Sequence, residues 1–447
     1  MNVNIKNFGA KSGSLPQTAK IQAAIDCCYK NGGGKVIIPA GSFCTGGIRI
    51  RSGITLYLQS GARLIASKDP NDYMGILRDE IEPVLNKDIT NTLWQPVDVR
   101  RNFEHMNCAA SRWNNALIKG IDAHDISIIG EDDCYIDGRD CFDELGEENY
   151  RGPHTINFHR CRNIKLNGYE IRNSANWAHA MFDCKNLKIN SVKVIGGHDG
   201  IHLTSCKNIL IRNSNFYTGD DCIAGIDNLN VFVEKCTLNT ACSAFRFGGR
   251  NVLVKNCRMF GPAKYLFRGS LTDEEKRNGV SSGKNHRYNM LSAYTYYADF
   301  SREIKNAQGN IAFKKCKIEN SDRFIHYNFS GNEPWQRNKP LQSIVFKKID
   351  AEGIKEPLVM YGDKSNPLNA KIIDSSIKFK NSTGAFMLLC NCKRVLIKHA
   401  DIKDVKGPVL IKKWSNTGKI VLKHFTCNAN NAVIENLADE PFECPSI

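Results

Sequence analysis

Short alternating runs of apolar and polar residues recur along most of the chain. CRNIKLNGYEI from Cys161, CKNLKINSVKV from Cys184 and CKNILIRNSNF from Cys206 share one layout. DNLNVFVEKCTL from Asp227 and GRNVLVKNCRMF from Gly249 continue it. Anchored on Asn163, Asn186, Asn208, Asn228 and Asn251, the steps are 23, 22, 20 and 23 residues. Each unit holds two short alternating runs parted by Asn or Ser. Alternation marks half-buried strands, and Asn suits the turns between them because it tolerates the left-handed region. No unit has room for a crossover helix, which excludes a β-α-β fold. The pattern predicts an all-β chain, a single-stranded right-handed parallel β-helix whose coils stack about 4.8 Å apart. Cys161, Cys184 and Cys206 should form an interior column, and Asn163, Asn186 and Asn208 a turn ladder.

Weaker copies flank this stretch, at 47–67 and 116–138 upstream and at 309–321, 343–353, 371–382 and 393–404 downstream. The coil therefore extends from about Lys35 to near the end, and residues 1–447 read as a single β-helix domain. Residues 14–31 differ: Ile21, Ala24, Ile25 and Cys28 have helical spacing, and Gly32 to Gly34 end the run. This N-terminal helix should cap the open end of the solenoid. Residues 262–308, rich in charge and in aromatics such as Tyr294, Tyr296 and Tyr297, read as an inserted loop region near a groove.

Composition adds three constraints. The 447 residues carry a formal net charge of +15, which favours polyanionic partners, although no Lys/Arg block dominates. The 18 cysteines sit largely at repeat positions and read as small buried side chains, without the paired spacing of a zinc site. No apolar run is long enough for a transmembrane helix and no apolar leader stands at the start, so the expectation is a cytoplasmic protein. Neither a nucleic-acid nor a membrane partner is expected, and oligomeric state is not readable.

The candidate chemistry is acidic. Asp199 lies in GGHDGIHL, and Asp220 and Asp221 lie in YTGDDCIAG, one coil later. Carboxyl groups on neighbouring rungs repel, which favours one staying protonated beside others that are ionised. Such a set suits glycosidic cleavage, where one group protonates the leaving oxygen and another activates water. A solvated turn or a calcium site is the structural alternative at this point.

The stretch RGPHTINFHRCRNIKLNGYEIRNSANWAHAMFDCKNLKINSVKV, then HDGIHL and TGDDCIA, resembles the polygalacturonases of glycoside hydrolase family 28. Asn173 to Trp177 stands for the family's N-S-P-x-W strand, His198-Asp199-Gly200 for its T-D-G and Gly219-Asp220-Asp221 for its G-D-D. The upstream CYIDGRD resembles its G-x-I-D-G-x-G. The resemblance implies that Asp220 is the general acid, that Asp199 and Asp221 activate water, and that cleavage inverts the anomeric centre. It implies a carbohydrate substrate, pectin-like and acidic, with no metal and no cofactor.

The chain departs from that pattern in places. Gly197 replaces the family's Asn. The G-H-G motif is missing, with Cys242 or Ser243 near its His position. The R-I-K motif that grips a uronate is also missing. Arg246 and Arg268, 22 residues apart, are the expected substitutes over the cleft. His198, Trp177, His326 and Trp335 are the other expected substrate-binding residues, the last two in a polar and aromatic cluster with Arg323 and Tyr327. Simple alternation turns His202 away from Asp199. A lyase or epimerase, or a non-catalytic carbohydrate-binding β-helix, remains the alternative to a hydrolase.

Overall fold

The computed structural model describes residues 1–73, 112–278, 286–300, 303–331, 333–406, 409–414, 417–427 and 433–437. It groups the chain into two units, Met1–Asp220 with Tyr265–Arg287, and Asp221–Lys264 with Tyr288–Ile447.

In the first unit the alternating runs are parallel strands stacked in register. Val36, Leu56, Ile128, Leu166, Ile189 and Ile211 pair in succession up one face. All six are buried, while their sequence neighbours point outward. A second face stacks Phe43, Leu64, Ile136, Ile171, Val194 and Phe216. A third carries Phe158, Met181 and Leu203. Each coil thus inserts two large apolar side chains on the first face, such as Ile164 with Leu166, and about one on the second, worth about 1.5–3 kcal/mol apiece against exposure. A one-residue slip would turn every one of them outward, so the alternation fixes the register.

The expected columns are present. Cys161, Cys184 and Cys206 are buried, with successive coils tied by Lys185 N–H to Cys161 O and Lys207 N–H to Cys184 O. Asn163, Asn186 and Asn208 adopt positive φ and pass amide hydrogen bonds along the ladder at 2.9 and 3.0 Å. The helix spans Thr18–Lys30 and buries Ile21, Ala24, Ile25 and Cys28.

The second unit repeats the scheme. Val233, Val254, Phe313, Phe346, Ile372 and Ile397 pair in succession and are buried. The turn residue here is Asn230, not the expected Asn228: Asn230 has positive φ and accepts from Asn251 Nδ2 at 3.0 Å, while Asn228 is fully buried. An irregularity between Gly225 and Asn228 shifts the frame. The expected 262–308 insertion is also narrower. Met290–Tyr296 is a core strand of this unit, paired with Ser243–Lys255 and Ser321–Asn328, and Tyr294 and Tyr296 point into its interior. Before it, Asp273–Asn278 is a short helix. No helix among the described residues is long and apolar enough to cross a membrane.

Candidate active site

Asp199 lies in the turn between the strands Lys193–Gly196 and Ile201–Thr204 and is 4% exposed. One coil further on, Thr218 pairs with Gly196, and Gly219 N–H donates to Gly196 O at 2.8 Å. This brings a carboxylate oxygen of Asp220 within 4.8 Å of one on Asp199. The rung spacing therefore places these two groups together, as the 21-residue separation in the sequence requires.

Different side chains meet the two carboxylates. His202 Nδ1–H donates to Asp199 Oδ2 at 3.2 Å. The alternation argument failed here because Asp199 sits in a turn, where the two-residue period of a strand does not hold. The His202 ring lies flat on the Trp177 indole, centroids 3.7 Å apart and planes 5° apart. Trp177 in turn meets Trp113 edge-on at 5.4 Å. Trp177 is 7% exposed and packed against the histidine, so its burial takes it out of the expected substrate contacts.

Asp220 faces a cation instead. Arg151 Nη2 lies 3.9 Å from Asp220 Oδ2. The same guanidinium, 6% exposed, also meets Glu147 at 3.3 Å and Glu148 at 3.0 Å. Burial works against its charge, but Glu147, Tyr150, Glu148 and Asp220 more than offset this and hold Arg151 cationic. Burial pushes the Glu147 carboxyl up to about 8; Arg151 opposes the rise, and the charges of Glu148 and Asp220 reinforce it. The sequence reading missed Arg151 and Glu147, although Arg151 opens the RGPHTINF stretch; nothing in the linear pattern showed which carboxylates it would reach.

His198 is 2% exposed, stacked on Tyr150, and its Nδ1 accepts from Arg151 Nη1 at 3.1 Å. Burial first, then Arg151, Arg268 and His154, hold its imidazole well below the usual range, so it is neutral. Its tautomer then carries the proton on Nε2, which is buried without a hydrogen-bond partner.

Arg268 is not the free substrate ligand expected. It is 3% exposed, donates to Asp140 O at 2.7 Å and Lys276 O at 3.2 Å, and lies 3.3 Å from Asp140 Oδ1. The 22-residue spacing from Arg246 misled, because the register partner of Arg246 is Thr295. The Leu266–Arg268 segment runs instead across the acidic turns. Arg268 N–H bonds Gly197 O at 3.1 Å. A Cβ on Gly197 would meet the Arg268 Cβ at 2.8 Å, and one on Gly219 would meet Leu266 O at 1.7 Å. This close passage explains why glycine stands at 197.

In the second unit Asp221 is 3% exposed. Ser243 N–H donates to its Oδ1 at 2.9 Å, and Arg246 Nη1 lies 3.8 Å from its Oδ2. The Arg246 guanidinium sits 4.5 Å from the Tyr297 ring centre and 5.6 Å from that of the half-buried Trp335. Arg246 keeps 33% side-chain exposure. His326 lies in the same register column as Arg246 and Thr295 but is 1% exposed and 3.5 Å from Glu333. Its burial removes it from the expected substrate contacts. Arg323 is paired with Glu356 at 2.7 Å, and Tyr327 is a core residue.

Residues 95–245 match the model of glycosyl hydrolases family 28. A probable polygalacturonase of Vitis vinifera is 25% identical over 229 residues, 48% of this chain and 42% of that protein. An exo-poly-alpha-D-galacturonosidase of Dickeya chrysanthemi is 25% identical over 250 residues, 49% of this chain and 41% of that one. The chain thus spans about two fifths of the length of these relatives. The structure of the Yersinia enterocolitica family 28 exopolygalacturonase shares the fold with a TM-score of 0.54 at 16% identity, covering 98% of this chain and 78% of that one. The similarity to the family 28 glycosyl hydrolases thus covers residues 95–245, the stretch that carries the acidic turn pair.

Proposed function

We propose that this protein is a glycoside hydrolase that cleaves an acidic, pectin-like poly- or oligosaccharide. The observation that carries the proposal is the Asp199–Asp220 pair, two carboxyl groups with oxygens within 4.8 Å of each other. Asp220 donates a proton to the leaving glycosidic oxygen. Asp199, oriented by His202, takes a proton from the water that attacks the anomeric carbon, and Asp221, next in the chain, shares that task. Glu148 balances the Arg151 cation, so its charge does not fall on Asp220 alone. Arg246, on its aromatic support, is the group suited to a uronate carboxylate. The buried Nε2–H of His198 is available to a sugar hydroxyl or a water.

The spacing and the family resemblance pull apart on stereochemistry. Inverting pairs stand roughly 6.5–9.5 Å apart and retaining pairs about 5–5.5 Å. The nearest-oxygen distance is a lower limit on carboxyl separation, so we keep the inverting assignment. Proton NMR of the first-formed anomer tests it: inverted product is expected, and retained product overturns inversion while leaving hydrolysis standing.

Hydrolysis itself is tested on a panel of acidic and neutral glycans, scored for reducing ends and for unsaturated-product absorbance. Asp220→Asn should lower reducing-end release by roughly 10²–10⁴-fold. No release from any glycan, or an unchanged rate in the variant, refutes the proposal. The same carboxylates are close enough to hold a cation, which favours a metal-assisted lyase as the second reading. Unsaturated product that disappears with chelator would establish it.

A further inference from the structure

The second unit has a charged column that its own fold does not balance. Register places Lys255, Lys314, Lys347, Ile373, Lys398 and Lys423 one above another on successive coils. Their neighbours toward the core, among them Val254, Phe313, Phe346 and Ile397, are buried, so the lysines point outward. In the adjoining turns Lys235, Lys315 and Lys348 are exposed with positive φ. Among the described residues these eight lysines meet two carboxylates, Glu234 at 3.8 Å from Lys255 and Asp374 at 3.9 Å from Lys347.

Like charges directly opposite on paired strands are destabilising, and coils about 4.8 Å apart put these lysines in that relation. The next strand of the same coils is arranged differently. There Lys317 pairs with Glu319 at 2.9 Å, Lys378 with Glu352 at 3.4 Å and Lys403 with Asp401 at 2.8 Å. The unit thus neutralises one outward strip and leaves the other cationic.

Beside the lysines runs an outward row of Leu253, Ala312, Val345, Leu396 and Val421, interrupted by Lys371. These side chains are half-buried. A cationic row beside an aliphatic row matches a linear polyanion whose backbone has apolar faces. Chains of uronic-acid rings have this chemistry: one carboxylate per ring, a carbon–hydrogen face on each ring, and a ring-to-ring advance close to the coil step. Single-stranded nucleic acid is the poorer match, because its bases stack on successive aromatic platforms and Phe232, which pairs with Leu253 at the start of the row, is its one aromatic side chain among the described residues.

We propose that this face is a second, non-catalytic binding surface for an acidic polysaccharide. The proposal rests on the glycoside-hydrolase reading only for the identity of the polymer.

The test replaces Lys314, Lys347, Lys398 and Lys423 together by Gln in the full chain. Retardation in gels containing sodium polygalacturonate, neutral dextran or single-stranded DNA is compared with the unaltered protein across a NaCl series. A saturating short galacturonate oligomer blocks the active site. Retardation by polygalacturonate should weaken about tenfold, with a shallower salt dependence, and hydrolysis of the short oligomer should be unchanged. The corresponding Lys→Arg variant should bind like the unaltered protein, which separates charge from misfolding. Equal retardation of the Gln variant and the unaltered protein overturns the surface. So does single-stranded DNA held as tightly as polygalacturonate. Loss of all glycan turnover with retardation intact would sink the hydrolase reading and leave this surface standing.

Discussion

Replacing Glu147 by Gln should change how stability depends on pH. The folded protein holds the Glu147 carboxyl at about 8, against an ordinary value of 4.5, first through burial. A carboxyl raised on folding costs nothing below about pH 4.5, where folded and unfolded chains both keep the proton. The cost accumulates as pH rises, because the unfolded chain releases its proton while the folded chain retains it. It is complete above about 8. At about 1.4 kcal/mol per tenfold, the full interval sets an upper limit of roughly 5 kcal/mol. The side chain keeps 23% exposure, and solvent screening reduces this to roughly 2 kcal/mol. Gln keeps the shape without the ionisation. The stability of Glu147→Gln relative to the unaltered protein should therefore climb by about 2 kcal/mol from pH 5 to pH 9. Urea unfolding of both proteins at matched ionic strength measures it, and other titrating groups cancel in the difference. A difference that stays flat or falls with pH would falsify the assigned environment of Glu147 and the charge balance drawn around Arg151.

Three further outcomes follow from the site. His202→Gln should lower kcat by roughly 10–100-fold with little change in KM, because it frees Asp199 to turn without touching substrate; a change confined to KM would contradict the orienting role. Gly219→Ala should cost at least about 1–3 kcal/mol of stability, since its Cβ would overlap the backbone oxygen of Leu266; an unchanged unfolding midpoint would show that the 265–270 segment does not lie where described. Arg246→Gln should raise KM for uronate oligomers about tenfold and leave neutral oligomers unaffected, whereas equal effects on both would remove it as the carboxylate ligand.

The sequence by itself determined the coil. Alternation in runs such as Ile164 to Leu166 and Ile209 to Ile211, repeated at nearly constant spacing, leaves one way to bury every second side chain, and asparagines at the turns fix where the chain bends. The meeting of Asp199 and Asp220 followed from that, because one repeat in the chain is one rung in space. What breaks the repeat was not readable. Asn230 displaced Asn228 where a bulge shifted the frame, and Thr295 displaced Arg268 where an irregular segment intervened, because spacing predicts neighbours only while the coil is uninterrupted. The partners of the acids also came from the tertiary structure alone. His202 reaches Asp199 through a turn that suspends the two-residue period. Arg151 reaches Asp220, 69 positions away, because folding closes a distance that no linear pattern encodes.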